Sequence, residues 1–263
     1  MNETELVHSY LLNCDRLSLY LNKDKPLKRS DSLRLAAILK RRISGEPLQY
    51  ILGRSEFMGL EFKIDRRALI PRPETEILVL NVLERLGVPG NASVKKVLDL
   101  GTGSGCIAVS LAKFMDHAEV MATDISCEAL SLAGENAALH QVKVRFMLSD
   151  IFGALKEGLD KFDLIVSNPP YIRRRDLQGL CREISFEPEA ALSAGDDGLD
   201  FYRRIIADAP CFLAKGGVLA FEAGAGQAAA VRKMLLAQKF DALETIKDYN
   251  GIERVVIAKR GIF

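Results

Sequence analysis

The stretch Val97 to Ala108 restricts this chain more than any other. Val97-Leu98-Asp99-Leu100 is an apolar run that breaks into Gly101-Thr102-Gly103-Ser104-Gly105, and Cys106-Ile107-Ala108 then opens a helix of small and apolar residues. A strand with so little polar alternation is buried on both faces, which requires helices above and below a parallel sheet. Glycines let the turn take positive φ and let a ligand approach the backbone, while the helix start offers N–H groups without intrahelical partners. The spacing is G-x-G-x-G, not the G-x-G-x-x-G that seats a dinucleotide pyrophosphate, so the turn points to a cofactor other than NAD. Gly101, Thr102, Gly103, Ser104 and Gly105 are therefore candidate cofactor-binding residues.

The following segments repeat the arrangement. Glu119 to Thr123 forms a second candidate strand and ends in Asp124, about 20 residues after the glycine turn, from where a carboxylate accepts both ribose hydroxyls. Charge-assisted bonds of that kind are worth roughly 1.5 to 3 kcal/mol each. Lys143 to Leu148 is a third candidate strand, followed by Ser149-Asp150-Ile151. There Asp150 is placed to accept an adenine amino group and Ile151 to cover the ring. Each acidic residue taken singly is equally an ordinary loop or N-cap residue. Their recurrence at successive strand ends makes a single ligand-binding rim.

On the same rim, Leu164-Ile165-Val166 leads into Asn168-Pro169-Pro170-Tyr171. A planar amide or amino nitrogen is a poor nucleophile because its lone pair is delocalised and its N–H groups donate. The Asn168 oxygen accepts one N–H and the Pro169 carbonyl the other, which leaves the lone pair aimed at an incoming methyl group. Pro169 and Pro170 fix φ and remove N–H donors, so the loop presents carbonyls in a stiff frame. Tyr171 offers a flat face for the planar substrate group. A proline-rich turn with Asn as turn former accounts for the same residues without chemistry; the glycine turn and the acidic strand ends upstream favour the chemical reading. Asn168 is also a candidate cofactor contact, because the two ends of the pocket meet there. The whole arrangement resembles the class I S-adenosylmethionine-dependent methyltransferases, which implies an α/β fold with a Rossmann-like seven-stranded sheet and S-adenosylmethionine as cofactor.

The resemblance narrows further. Gly45-Glu46-Pro47-Leu48-Gln49-Tyr50-Ile51-Leu52-Gly53, Leu69-Ile70-Pro71-Arg72-Pro73-Glu74-Thr75-Glu76, Asn168 to Ile172, and Phe186-Glu187-Pro188-Glu189-Ala190-Ala191-Leu192 are similar to the signatures of the release factor glutamine methyltransferases, the PrmC or HemK family. Membership implies methyl transfer to the side-chain amide of the glutamine in the Gly-Gly-Gln loop of class 1 peptide chain release factors. Asn-Pro-Pro-Tyr alone is shared with DNA and RNA adenine methyltransferases, so it specifies only the type of nitrogen. The segments around Glu46 and Arg72 carry the narrower assignment.

Composition is consistent with this. The chain of 263 residues accommodates one larger α/β unit and a smaller one. Apolar residues at 48% and charged residues at 27% are ordinary for a folded soluble protein, and no run approaches the roughly 18 apolar residues of a membrane span. The polar, acidic start lacks the regions of a signal peptide. The 5 cysteines are scattered without a C-x-x-C pair, and the 3 histidines lie far apart, which predicts reduced thiols, a cytoplasmic setting and no metal site. A net charge of +1 argues against stable binding to nucleic acid, which draws its affinity from phosphate neutralisation. Arg173-Arg174-Arg175 is either a solvated loop or a contact for a release factor or for the cofactor carboxylate.

The expected organisation is an N-terminal helical substrate-recognition domain over residues 1–54, a β-hairpin linker over 55–72, and a methyltransferase domain over 73–263. The first region reads as one helix from Thr4 to Tyr20 and a second capped by Ser30-Asp31-Ser32 and ended by Gly45. Glu56 to Ile64 and Ala68 to Ile70 read as the two hairpin arms, with Gly59 a bend or bulge, and a helix runs from Glu74 to about Leu86. Gly87 to Ser93 is a linker. Val218 to Glu222 gives a fifth strand, Gln227 to Lys239 a helix, and Leu243 to Asp248 with Arg254 to Ala258 an antiparallel pair through Asn250-Gly251. Glu187 and Glu189 read as a capped turn or as a direct substrate contact, and the family resemblance implies instead a segment that helps shape the pocket mouth. The alternatives to glutamine methylation are an adenine-N6 methyltransferase acting on RNA or DNA and a nucleotide-binding module without catalysis.

Overall fold

The computed structural model describes residues 2–22, 26–86, 95–115 and 117–261. The expected linker Gly87 to Ser93 lies outside the described residues.

The N-terminal region is helical: α1 (Glu3–Leu12), α2 (Arg16–Leu21), α3 (Arg29–Ile43) and α4 (Leu48–Leu52). The single helix expected from Thr4 to Tyr20 is broken at Asn13, which takes the left-handed conformation (φ 47) that Asn tolerates. Asp15 then caps α2 by accepting from the Ser18 N–H at 2.7 Å. The break turns Leu17 and Tyr20 outward, and the small core forms instead from Val7, Leu11, Ile38, Leu48, Ile51 and Leu52. The start of α3 also differs from expectation: it begins at Arg29 without a side-chain cap, and Asp31 sits in the first turn, where its charge complements the helix dipole. The short α4, entered through Pro47 and closed by Gly53 at φ 73, carries no periodicity long enough to read from sequence.

The hairpin is tighter than expected. Strands β1 (Arg54–Phe57) and β2 (Leu60–Lys63) pair with Phe57 opposite Leu60, so Met58 and Gly59 alone make the turn, both with positive φ. Ala68 to Ile70 is therefore no second arm; it runs without strand pairing along the cavity described below. Nor is the hairpin a loose connector. Phe57 and Phe62 are buried in the core beneath the following helix, and the Asn136 side chain bonds both the N–H and the carbonyl of Lys63.

The rest of the chain builds one seven-stranded sheet. Its elements are α5 (Pro73–Leu86), β3 (Lys95–Leu100), α6 (Cys106–Phe114), β4 (Ala118–Asp124), α7 (Cys127–Leu139), β5 (Val144–Leu148), β6 (Phe162–Ser167), α8 (Asp200–Phe212), β7 (Leu213–Glu222), α9 (Ala228–Ala237), β8 (Phe240–Lys247) and β9 (Glu253–Arg260). The strand order is β5-β4-β3-β6-β7-β9-β8, with β9 antiparallel to both neighbours and the remaining pairs parallel. Alternate residues feed two cores: Val97, Leu164 and Val166 pack under α5 and α6, while Leu98, Leu100 and Ile165 pack under α8 and α9. Burial on both faces explains the near-continuous apolar strands.

Register fixes the functional rim. Leu100 pairs with both Thr123 and Ser167, Asp124 with Leu148, and Ser167 with Phe221. Gly101, Asp124, Ser149, Asn168 and Glu222 therefore emerge together at the carboxyl ends of adjacent strands, where open α/β sheets bind ligands.

Candidate active site

A cavity of about 450 Å³ opens on that rim. Its walls include Leu69 to Arg72, Thr75, Gly101 to Ser104, Asp124 to Ser126, Ser149 to Ile151, Asn168 to Pro170, Ala190, Ala191, Phe201 and Arg204. Sequence order separates these segments widely; the parallel register brings them together.

Gly101, Gly103 and Gly105 all have positive φ, at 70°, 56° and 81°. A Cβ added to Gly101 would meet nothing within 4 Å, and one on Gly103 only the Ala68 methyl at 3.9 Å, so both open onto free space that an approaching ligand can use. Gly105 has a different role from its neighbours. It is not among the residues lining the cavity, and its Cβ would lie 2.9 Å from that of Ala133, so it is needed to seat α6 against α7.

Asp124 is built into the loop it faces. One carboxylate oxygen accepts the Gly103 N–H at 2.8 Å and the other the Ser126 N–H at 2.9 Å. Each oxygen keeps a lone pair for a hydroxyl from the cavity. Behind the loop, buried Asp99 accepts from the Thr102 hydroxyl at 2.7 Å, while its other oxygen has no partner among the described residues. Burial pushes its carboxyl up to about 7. Asn136, fully buried on α7, donates to the Ser104 carbonyl at 2.9 Å and so couples the loop to the hairpin.

At the end of β5, Ile151 takes φ 52, a strained conformation for a β-branched residue, and the Ser149 hydroxyl donates to its carbonyl. Asp150 lines the cavity and is bonded to Arg204 at 2.7 Å.

Asn168, Pro169 and Pro170 line the far wall. The Asn168 amide nitrogen donates to the Thr75 hydroxyl at 3.1 Å, and that hydroxyl donates to the buried Glu222 carboxylate at 2.6 Å. Burial pushes Glu222 up to about 7, opposed by the Thr75 bond. Tyr171 does not offer its ring to the cavity as expected. It packs against the core beneath α8 and α9, where burial pushes its phenol up to about 12. Its carbonyl accepts from Gln227 Nε2 at 3.0 Å, and Gln227 also bonds Gly198 and Gly224, so the loop is clamped from behind. Arg173 and Arg175 are exposed, pair with Asp176, and do not line the cavity, which removes the cofactor carboxylate as their partner there.

Glu187 is neither a turn cap nor free. Its side chain is 1% exposed, pairs with Arg72 at 2.5 Å and accepts the Ile70 N–H at 3.2 Å. It thus ties the segment after the Asn-Pro-Pro-Tyr loop to the wall formed by Leu69 to Arg72. Thr75, Glu222, Gln227 and Asn136 were not recognisable as site residues in sequence. Glu222 had a legible signal, since it ends a buried apolar run as Asp124 does; the others act through contacts that only the fold creates.

Residues 75–195 match the methyltransferase small domain family, and residues 1–53 match the PrmC N-terminal domain. A protein of Geobacter sulfurreducens named release factor glutamine methyltransferase is 46% identical over 98% of this chain and 89% of its own length. The chain belongs to the release factor glutamine methyltransferase family. Among solved structures, a methyltransferase from Pyrococcus furiosus matches 88% of this chain and all of its own, with a TM-score of 0.59 at 20% identity. An rRNA methyltransferase of T. thermophilus in complex with AdoMet and guanosine matches 79% of this chain and 49% of its own, with a TM-score of 0.56 at 22% identity. These likenesses establish the class I methyltransferase sheet. The PrmC N-terminal match falls on α1 to α4, and the methyltransferase match begins at Thr75, in the first turn of α5.

Proposed function

We propose that the protein transfers a methyl group from S-adenosylmethionine to the side-chain amide nitrogen of the glutamine in the Gly-Gly-Gln motif of class 1 peptide chain release factors. The observation that carries this reading is Asn168 facing the same cavity as the open glycine turn, with its amide nitrogen already engaged by Thr75. That leaves the Asn168 oxygen for one N–H of the substrate amide, and the Pro169 carbonyl for the other. Gly101 to Ser104 and Asp124 hold the donor's amino-acid and ribose parts, and Asp150 and Ile151 its adenine. When bound, S-adenosylmethionine supplies an electrophilic methyl on its sulfonium. The chain's own contribution is orientation and charge: Asn168 and Pro169 turn the amide lone pair forward and meet the positive charge that develops on nitrogen. Tyr171 contributes through its clamped backbone. The N-terminal helices recognise the release factor, and the enzyme works in the cytoplasm without stable attachment to nucleic acid. Among the described residues no helix is long and apolar enough to cross a membrane.

The test is mass spectrometry of a class 1 release factor incubated with the protein and S-adenosylmethionine. A methyl increment on the Gly-Gly-Gln glutamine, lost in Asn168→Ala with donor affinity retained, is the expected result. An unmodified factor together with methyl entering adenine of RNA or DNA would overturn the substrate assignment.

A further inference from the structure

We propose that Thr75 and Glu222 form a polar relay that fixes the Asn168 carboxamide with its oxygen toward the substrate amide, making both of them positioning residues for methyl transfer. This rests on the reading of Asn168 as the group that receives the glutamine. The three side chains come from separate elements: Asn168 follows β6, Glu222 ends the adjacent strand β7, and Thr75 lies in the first turn of α5. Thr75 is 2% exposed and Glu222 1% exposed, so water does not substitute for either partner.

The relay has a direction set by proton count. A hydroxyl has one proton and accepts through its lone pairs. Thr75 gives its proton to Glu222 at 2.6 Å and therefore can only accept from Asn168, at 3.1 Å. An accepting hydroxyl selects the NH₂ end of the carboxamide. Flipping the amide would set its oxygen against the Thr75 oxygen, and Thr75 could relieve that clash only by abandoning the buried carboxylate. The Glu222 oxygen that accepts from Thr75 thus determines, through one intervening hydroxyl, which end of Asn168 meets the substrate. The consequence is chemical as well as geometric. With its NH₂ end held, Asn168 presents an acceptor to a substrate nitrogen that can only donate; reversed, it would present a second donor and expel that nitrogen. Removal of the relay therefore lowers turnover at saturating substrates while leaving the donor pocket intact.

Thr75→Val preserves shape and removes the hydroxyl. It is expected to lower kcat for glutamine methylation roughly 10- to 100-fold, in keeping with the cost of misplacing a positioning group. The KM for S-adenosylmethionine stays close to wild type, while the thermal midpoint falls by a few degrees because the buried Glu222 carboxyl loses its hydroxyl partner. Thr75→Ser restores most of the kcat, and Thr75→Val combined with Glu222→Gln is no worse than Thr75→Val alone, because members of one relay are not additive. A wild-type kcat in Thr75→Val, equal losses in the Ser and Val variants, or additive losses in the double variant would each overturn the relay. A readout independent of the substrate is the side-chain amide of Asn168 in nitrogen-15 NMR. Slow proton exchange in the wild type that becomes fast in Thr75→Val supports the relay; identical exchange in both overturns it, whichever molecule accepts the methyl.

Discussion

Replacing Asn136 by Ala tests how the donor pocket is held together. Asn136 is fully buried on α7 and makes hydrogen bonds at 2.8 Å and 3.0 Å to the Lys63 backbone and at 2.9 Å to the Ser104 carbonyl. Lys63 lies on an exposed part of β2, so its N–H and carbonyl recover water, and each lost bond costs about 1 kcal/mol. Ser104 is 2% exposed and its carbonyl stays dry, at a cost of about 1 to 3 kcal/mol. The sum is about 3 to 5 kcal/mol, a large part of the roughly 5 to 15 kcal/mol that holds a typical domain folded. For a protein of this size it corresponds to a fall in the thermal midpoint of roughly 10 °C. Because Ser104 belongs to the glycine turn, affinity for S-adenosylmethionine falls as well. Urea unfolding and calorimetric titration of the donor measure the two effects, with the exposed Ser131→Ala on the same helix as control. A loss of stability below about 1 kcal/mol, the ordinary range of surface substitutions, would refute the claim that Asn136 joins the hairpin, α7 and the turn.

Other perturbations follow from the same geometry. Asp124→Ala weakens S-adenosylmethionine binding, measured by titration, before it affects the chemical step; unchanged affinity would remove Asp124 from the pocket. Gly198→Ala puts a Cβ 2.5 Å from the Tyr171 carbonyl oxygen and 2.6 Å from Gln227 Nε2 at a backbone φ of 78°, so kcat falls roughly tenfold as the Asn-Pro-Pro-Tyr loop shifts, and a crystal structure with an unmoved loop would contradict this. Arg72→Ala leaves the buried Glu187 charge without its partner and costs about 3 kcal/mol in urea unfolding, whereas Arg72→Ala with Glu187→Gln loses less. The carboxyls of Glu222 and Asp99 are both raised by burial to about 7, so the folded protein holds protons that the unfolded chain releases near its ordinary values of 4.5 and 3.8. Their contribution is present at low pH and is lost as pH rises through about 7, and Glu222→Gln makes that decline shallower in thermal melts of the apo protein.

Much of the sheet was legible because its signals are local. The apolar runs before Gly101, Asp124, Ser149 and Asn168 read correctly as parallel strands, and Asn250-Gly251 correctly marked the link between the two antiparallel strands. Boundaries failed where the decisive partner was distant or the signal was degenerate. Helical spacing from Leu6 to Tyr20 does not register that Asn13 can leave the helix, and the alternation from Glu56 to Ile70 does not say that Met58 and Gly59 already reverse the chain.

The sheet, the glycine turn, the acidic strand ends and the Asn-Pro-Pro-Tyr loop are written locally in the chain, because each depends on residues that are adjacent or repeat at a fixed period. What those residues face comes from packing across the fold. Tyr171 packs inward because β7 and α9 leave it space beside Gly224, Gly105 serves a helix contact instead of the cavity, and Arg72 meets Glu187 across 115 positions. Thr75 and Glu222, separated by 147 positions, become partners solely because α5 crosses the ends of β6 and β7. A hydrogen bond requires its donor within about 3 Å of its acceptor, and no local pattern in a chain encodes a proximity that the packing of the whole sheet creates.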